Sequence, residues 1–493
     1  MTATSLIDDK NYQSADRAVI ETTMIIAALL AGLIGIYWIE NVWMQMILIM
    51  AWISSLVIAL LYLKEHATSK VLLSSMMYLL IASTFLNQEL LSISTGFFTL
   101  FVYRLLLIGS IVVFLAHAGK IGGFYSQWES MQVKGTLFFL LFWLAYAGTS
   151  LLWSWSVVEG IKYLLLLGIG LLFIFLAVFT FTRVRQMIAF HSIWLLMSTA
   201  LIVIGLVNHF ARIQLPTSTL FGGPEYKQAY PTAVFTNQND FATLLAISFF
   251  FYLAAGRNYR ARWIRFFCFA LAALSLWLIY LTESRASLLG VVAGSAFYLF
   301  LMVPEKRKKA VLWTGFIAAA GGLLVLFGKL LEKWQSFLSF TEGYVVNENP
   351  ASNSVRVHLL QSSWHYLTES FGMGVGTGNL SVYLENRPIL NTDSIFEVHN
   401  WLAEITGNFG LLIGAGYLAM YLALFISLMR LYSRHAGRKT QLLVETCLTA
   451  QIAFLISSIS PSSVSNLYYH WVFLGFVICT VSVLHQSIQS GES

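Results

Sequence analysis

Cysteine is nearly absent from this chain. Cys268, Cys447 and Cys479 are its only three, and all lie in apolar runs. No disulfide can therefore brace its polar parts, and a cysteine-based metal cluster has no support. Charge is equally scarce, at 11% of residues against about 25% in ordinary soluble domains. That excludes a soluble globular body. Ten-residue stretches of alternating polarity are missing, which excludes a transmembrane β-barrel. The segment before Thr22 holds Asp8, Asp9, Lys10, Asp16 and Arg17. It is too acidic for the n-region of a signal peptide and no small-residue cleavage site follows, so Thr22 should open a retained first span. A soluble domain at either end and an internal repeat are also missing.

Hydrophobicity is what the chain has. Apolar residues make up 58% and the mean hydropathy is +0.73. Apolar runs of roughly 18–22 residues recur from Thr22 to Leu484, the pattern of membrane-spanning helices. In lipid the backbone must satisfy its own hydrogen bonds, so these runs are helices. Spans are expected at 22–39, 43–63, 71–89, 97–117, 135–153, 161–181, 188–208, 240–256, 264–282, 286–303, 310–328, 402–427, 441–459 and 467–485. The span 97–117 carries Arg104, and 161–181 follows Glu159 and includes Lys162. Alternate loops hold 20 of the 29 Lys and Arg residues, and the positive-inside rule makes those loops cytoplasmic. The net charge of +6 thus reflects topology, not a nucleic-acid partner. The expected protein is all-α, a polytopic membrane protein of 12–14 helices. It has a cytoplasmic tail at 1–21, helices across 22–328, one large external loop at 329–401, helices across 402–485 and a cytoplasmic tail at 486–493.

The external segments hold the residues able to carry chemistry. Arg285 lies in the short hairpin Thr282-Glu283-Ser284-Arg285-Ala286-Ser287. An arginine there costs about 2–4 kcal/mol unless it snorkels or pairs. It is either bridged to Glu283 as an interfacial anchor or an anion clamp, since guanidinium offers donors that match phosphate oxygens two at a time. Arg356 follows a polar stretch in the large loop, and an amphipathic helix is expected over 361–368. The run Gly372-Met373-Gly374-Val375-Gly376-Thr377-Gly378 comes next. It reads as a tight turn or as a phosphate cradle in which Gly374 and Gly376 let backbone N–H groups approach an anion. His399 sits where the chain re-enters the bilayer, with Glu404 five residues on. Histidine titrates near neutral pH and suits general-base work; it could equally be an interfacial residue held by a carbonyl. Asn237-Gln238-Asn239-Asp240 opens another span, with Asn239 or Asp240 expected as the helix cap. Asn237 and Asp240 are also candidates to orient a substrate. Aspartate occurs only at 8, 9, 16, 240 and 393. No Asp-x-Asp pair exists, so the metal-nucleotide site of many sugar-nucleotide glycosyltransferases is missing.

At these residues the chain resembles the O-antigen ligase and polymerase superfamily of bacterial envelope proteins. The matching pieces are Thr236-Asn237-Gln238-Asn239-Asp240-Phe241-Ala242, Thr282-Glu283-Ser284-Arg285-Ala286-Ser287, Arg356 ahead of the glycine run, and His399-Asn400 followed by Glu404 and Gly407. They occur in the family's order within roughly 135–430. Teichuronic-acid-type polymerases of Gram-positive bacteria also resemble this pattern. The resemblance implies a multi-span protein in the bacterial cytoplasmic membrane that moves a glycan from undecaprenyl diphosphate to a glycan or lipid-core acceptor on the outer face. It implies that Arg285 and Arg356 bind the donor diphosphate and that His399 activates the acceptor hydroxyl, with Glu404 orienting His399 or serving as base itself. Neither ATP nor a metal or other cofactor is called for. Two rival classes make different demands. A flippase of lipid-linked oligosaccharide would depend on Arg104, and a docking subunit would tolerate single changes throughout.

Overall fold

A computed structural model describes the chain except for residues 1–2, 38–41, 67, 87–91, 95–98, 121–122, 339–351, 433–436, 462, 464 and 490–493. The helices in chain order are α1 (Ala3–Tyr37), α2 (Val42–His66), α3 (Ser69–Ser83), α4 (Val102–Lys120), α5 (Gly123–Ser130), α6 (Lys134–Thr149), α7 (Val157–Thr180), α8 (Val184–Ala211) and α9 (Glu225–Gln228). They continue as α10 (Gln238–Asn258), α11 (Arg262–Leu281), α12 (Arg285–Met302), α13 (Glu305–Leu338), α14 (Ser352–Glu369), α15 (Leu380–Asn386), α16 (Trp401–Leu431), α17 (Arg438–Ser457) and α18 (Tyr468–Gln489). The chain is an all-α polytopic membrane protein. Eleven helices among the described residues are long and apolar enough to cross a membrane, and α3 and α4 are shorter apolar helices.

Three boundaries differ from the sequence pattern. The span expected from 22 lies inside α1, which begins at Ala3, so the described part of the first 21 residues is helix. The spans expected at 71–89 and 97–117 are trimmed where they face each other. There a small antiparallel hairpin pairs β1 (Ser92–Ser94) with β2 (Thr99–Phe101), Ser92 opposite Phe101. β-Branched and aromatic residues around Ser92-Ile93-Ser94 and Thr99-Leu100-Phe101 satisfy the backbone as a hairpin. The large loop is also more helical than expected. α13 runs on to Leu338, and Arg356 lies inside α14 instead of preceding a helix.

Burial sorts the helices into layers. The apolar windows of α10, α17 and α18 are 83%, 72% and 78% buried, whereas that of α13 is 0% buried. The first three form the centre, and α13 turns its apolar surface outward. Large rings fill this centre, among them Trp143, Trp194, Trp401, Trp471 and Tyr252. At one end of the bundle the buried Glu445 accepts from Arg257 (2.7 Å), Asn258 (3.0 Å) and Tyr298 (3.2 Å), which ties α10, α12 and α17 together. The opposite end carries the polar segments. Residues 352–398 fold there around a small core of their own, in which Val355 and Leu359 of α14 meet Leu380 and Leu384 of α15, with Val375 and Val398.

α16 is interrupted. Gly410 has φ 81° and ψ 177° inside it, so the helix breaks after two turns and leaves carbonyls without helical partners. The glycine run supplies the missing partners, two donors and one acceptor. Val375 N–H bonds the Gly407 carbonyl (2.9 Å), Gly376 N–H bonds that of Asn408 (3.0 Å), and Leu411 N–H bonds that of Gly372 (2.9 Å). Irregular backbone at such a depth is tolerated where protein covers it.

Candidate active site

Four separate segments meet at Ser460, in the turn between α17 and α18. Its hydroxyl donates to Asn239 Oδ1 at the start of α10 (2.8 Å) and lies 3.1 Å from the Ser284 hydroxyl that precedes α12. Its carbonyl takes Nδ1 of His399 at 3.3 Å. One residue therefore links the entrances of α10, α12 and α16. The neighbouring Ser458 carbonyl accepts Trp401 N–H at 3.1 Å, and Asn400 caps α16 by accepting Ala403 N–H at 3.1 Å. Fixed on both sides, His399 adopts φ 52°, in the left-handed region. Such backbone costs of order 1–3 kcal/mol and persists only where surroundings over-determine it.

That geometry sets the chemistry of His399. A carbonyl only accepts, so Nδ1 carries the proton and Nε2 keeps its lone pair. Burial holds the imidazole below its ordinary 6.5; the Ser460 carbonyl opposes this, the Arg356 charge adds to the lowering, and the Pro461 carbonyl again opposes. Burial and the Arg356 charge both favour the neutral imidazole. Arg356 is half-buried, and desolvation lowers its pKa. Among the described residues it has no acidic partner, and a guanidinium stays charged in proteins.

Arg285 is the first residue of α12 and is exposed. The expected bridge to Glu283 does not form. Glu283 turns away at φ 58° and accepts the Tyr230 hydroxyl at 3.2 Å. Among the described residues Arg285 has no acidic partner. A cation opposes the dipole at a helix N-terminus by about 0.3–1 kcal/mol. Ser284 is bonded to Ser460 and Ser460 to His399, so the residue before Arg285 joins the hub that holds His399.

Other expected residues have different work. Gly374 and Gly376 do not offer a phosphate cradle, because their N–H groups are already donated, to the Ser370 hydroxyl (3.0 Å) and the Asn408 carbonyl (3.0 Å). Both have positive φ, 81° and 97°. A Cβ on Gly374 would stand 2.5 Å from Gly410 N and 2.7 Å from the Asn408 carbonyl. The run is a splice that holds the loop against the break in α16. Gly374→Ala is therefore expected to cost more than about 1 kcal/mol, read as a lower melting temperature of the purified protein. Asn237, and not Asn239 or Asp240, caps α10. Its Oδ1 accepts the N–H groups of Asn239 (2.9 Å) and Asp240 (3.0 Å), and its Nδ2 donates to Asp240 Oδ2 (2.9 Å). Asn239 is the member of this segment that reaches the Ser460 hub. Glu404 does not orient His399. Its Oε1 accepts the hydroxyls of Tyr163 (2.8 Å), Ser463 (2.7 Å) and Ser465 (2.8 Å) and lines a separate cleft.

Comparison with known proteins identifies the family. The chain is 42% identical over 486 residues to the teichuronic acid biosynthesis protein TuaE of Bacillus subtilis (strain 168), covering 97% of this chain and 99% of that protein. The O-antigen ligase family profile matches residues 270–418. The chain belongs to the O-antigen ligase and polymerase superfamily. An O-antigen polymerase of Salmonella muenchen is 30% identical over 159 residues, covering 31% of this chain and 35% of its own. In this superfamily member the region matched by the profile contains Arg285, Arg356, the glycine run, His399 and Glu404, but neither Asn237 nor the Ser460 turn. The superfamily comprises ligases and polymerases of cell-envelope polysaccharides.

Two functional contributors escape a reading of the sequence. Tyr163 holds Glu404 from α7, far away in the chain. The Ser457-to-Asn466 turn, which supplies Ser458, Ser460, Ser463 and Ser465, looks like an ordinary connection between two spans. Its signal is compositional, with six serines and one proline wedged between apolar helices. That density of hydroxyls suits a segment that must serve several partners at once.

Proposed function

We propose that this protein is a glycan polymerase that works on the outer face of the cytoplasmic membrane. It transfers a growing glycan from undecaprenyl diphosphate to a hydroxyl of another lipid-linked unit, in synthesis of a teichuronic-acid-type wall polysaccharide. The alternation of basic loops supports the outer face and cytoplasmic termini. The likeness to a teichuronic acid biosynthesis protein and to an O-antigen polymerase favours a polymer product. The observation that carries the transfer reading is Arg356, which has no acidic partner among the described residues, acting on His399, whose Nδ1 is held by the Ser460 carbonyl.

In this mechanism the acceptor oxygen attacks the anomeric carbon while the bond from that carbon to the diphosphate oxygen breaks. Attack comes from the face opposite the leaving group, so the anomeric configuration inverts. The hydroxyl proton passes to His399 Nε2, and the electron pair leaves on undecaprenyl diphosphate. Arg285 and Arg356 meet the negative charge that grows on the leaving oxygens. Fixed donors at a partly dry boundary stabilise such charge better than water does. The glycosyl–diphosphate bond supplies the driving force, so no nucleotide is spent in these steps.

Deleting the gene tests the reading. Single repeat units on lipid diphosphate, accumulating outside the membrane, are the expected result. Long lipid-linked polymers would instead make the protein a ligase, and accumulation on the cytoplasmic side alone would reject transfer in favour of translocation.

A further inference from the structure

The end of α14 carries a side chain that its backbone does not favour. Gly372 N–H bonds the Leu367 carbonyl (2.9 Å) and Phe371 N–H bonds that of Thr368 (3.1 Å). This pair of bonds needs a left-handed residue just past the helix, a place that glycine usually fills. Here Phe371 fills it, at φ 51°. Such backbone is an outlier for a bulky side chain and costs stability. Packing within the chain does not return that cost, because Phe371 is 92% exposed. Met373, two residues on, is exposed as well.

The surroundings of this tip are those of a lipid-facing surface. The Tyr146 hydroxyl donates to the Met373 carbonyl (2.8 Å), and the Trp153 indole N–H donates to that of Gly374 (3.1 Å). Leu411 N–H bonds the Gly372 carbonyl at 2.9 Å. The tip therefore sits at the ends of two apolar helical segments, α6 and the part of α16 beyond its break. Both present exposed apolar side chains along one side, Phe138 and Phe142 on α6 and Leu411, Leu418 and Leu422 on α16. Leu152, 89% exposed, extends that surface past the end of α6. Charge is missing throughout. None occurs between Lys134 and Glu159, or between Glu369 and Glu385. Tyr146 and Trp153 have their polar ends bonded to the tip. Amphipathic rings of this kind settle at the membrane–water boundary.

We infer that Phe371 and Met373, with Leu152 and Trp153 beside them, form an anchor that inserts into the bilayer leaflet at the polar end of the bundle. Its partner is lipid, at the boundary between headgroups and acyl chains. Moving a phenylalanine ring from water into lipid is favourable by an amount comparable to the backbone cost, so the strain at Phe371 is offset outside the chain. The glycine run follows directly and is bonded to the break in α16. The large loop is thus held to the membrane at this tip as well as through the helices at its two ends. The anchor does not depend on glycosyl transfer.

The test reads depth with a fluorescent probe. Cys268, Cys447 and Cys479 are all buried, so a maleimide dye attaches to an introduced cysteine. Phe371→Cys, Met373→Cys and Glu385→Cys are each labelled in the full chain and placed in lipid nanodiscs. Glu385 is charged and exposed on α15, and serves as the water-facing reference. The dye at position 371 is expected to be quenched by nitroxides attached near the lipid headgroup, and less by nitroxides deep in the acyl chains. Its quenching by iodide in the water is expected to be severalfold weaker than at position 385. The dye at position 373 is expected to behave as at 371, and it decides the matter if Phe371→Cys is lost from the membrane. Iodide quenching equal to that at 385, or nitroxide quenching no stronger than at 385, would overturn the anchor. Strongest quenching by the deep nitroxides would overturn its placement at the boundary.

Discussion

Arg356→Ala is expected to lower glycan transfer by roughly 10²–10³-fold, the usual cost of losing one preorganised donor to a developing oxyanion. The protein should remain in the membrane at its normal level, because among the described residues Arg356 forms no ion pair whose loss would leave a buried charge. Arg356→Lys should rescue little, since an ammonium cannot present the paired donors of a guanidinium. Arg285→Ala is expected to act in the same direction. The two differ in setting. Arg285 is exposed at the start of α12 and Arg356 is half-buried in α14, so raised salt should weaken the contribution of Arg285 more. Transfer assays of purified variants at low and high ionic strength check both statements.

His399→Ala should lower transfer by roughly 10²–10⁴-fold, the range for a positioned general base. The pH profile separates this from a structural loss. His399 must be neutral to act, and its pKa lies below 6.5. The acid limb of kcat/KM should therefore fall below that value, with activity lost as pH drops through it and retained above it. Arg356 helps to hold the imidazole neutral. In Arg356→Ala the residual activity should show its acid limb moved to higher pH. An unmoved limb would mean that the guanidinium does not act on His399. Ser460→Ala is not an equivalent probe, because the bond to His399 comes from the Ser460 backbone carbonyl.

The helices were legible because each apolar run in this chain is bounded by charge or by polar turns, as at Arg257 to Arg265 between α10 and α11. The strand pair between α3 and α4 was not, since Thr99 to Phe101 is apolar enough to read as the start of the span 97–117. Arg285, Arg356 and His399 could be named from the sequence, but not their mutual placement. That depends on Ser460, whose hydroxyl and carbonyl act in different directions and leave no periodic signal. For the glycine run a tight turn and a phosphate cradle were both open, because the carbonyls of Gly407 and Asn408, which take the N–H groups of Val375 and Gly376, become free only when Gly410 breaks α16. Nothing in an apolar helix pattern announces such a break. Glu404 was expected, from the family resemblance, to orient His399 or to serve as base itself. The helix begins between them, at Trp401, and its first turns carry the carboxylate to the hydroxyls of Tyr163, Ser463 and Ser465.

The most direct measurement follows purified protein in proteoliposomes with its native lipid-linked glycan, counting undecaprenyl diphosphate released against glycosidic bonds formed. One diphosphate per bond with the intact protein, and almost none with Arg356→Ala or His399→Ala, is the predicted result. Bond formation without diphosphate release, or equal release by all three proteins, would contradict glycan transfer at the Arg285, Arg356 and His399 site.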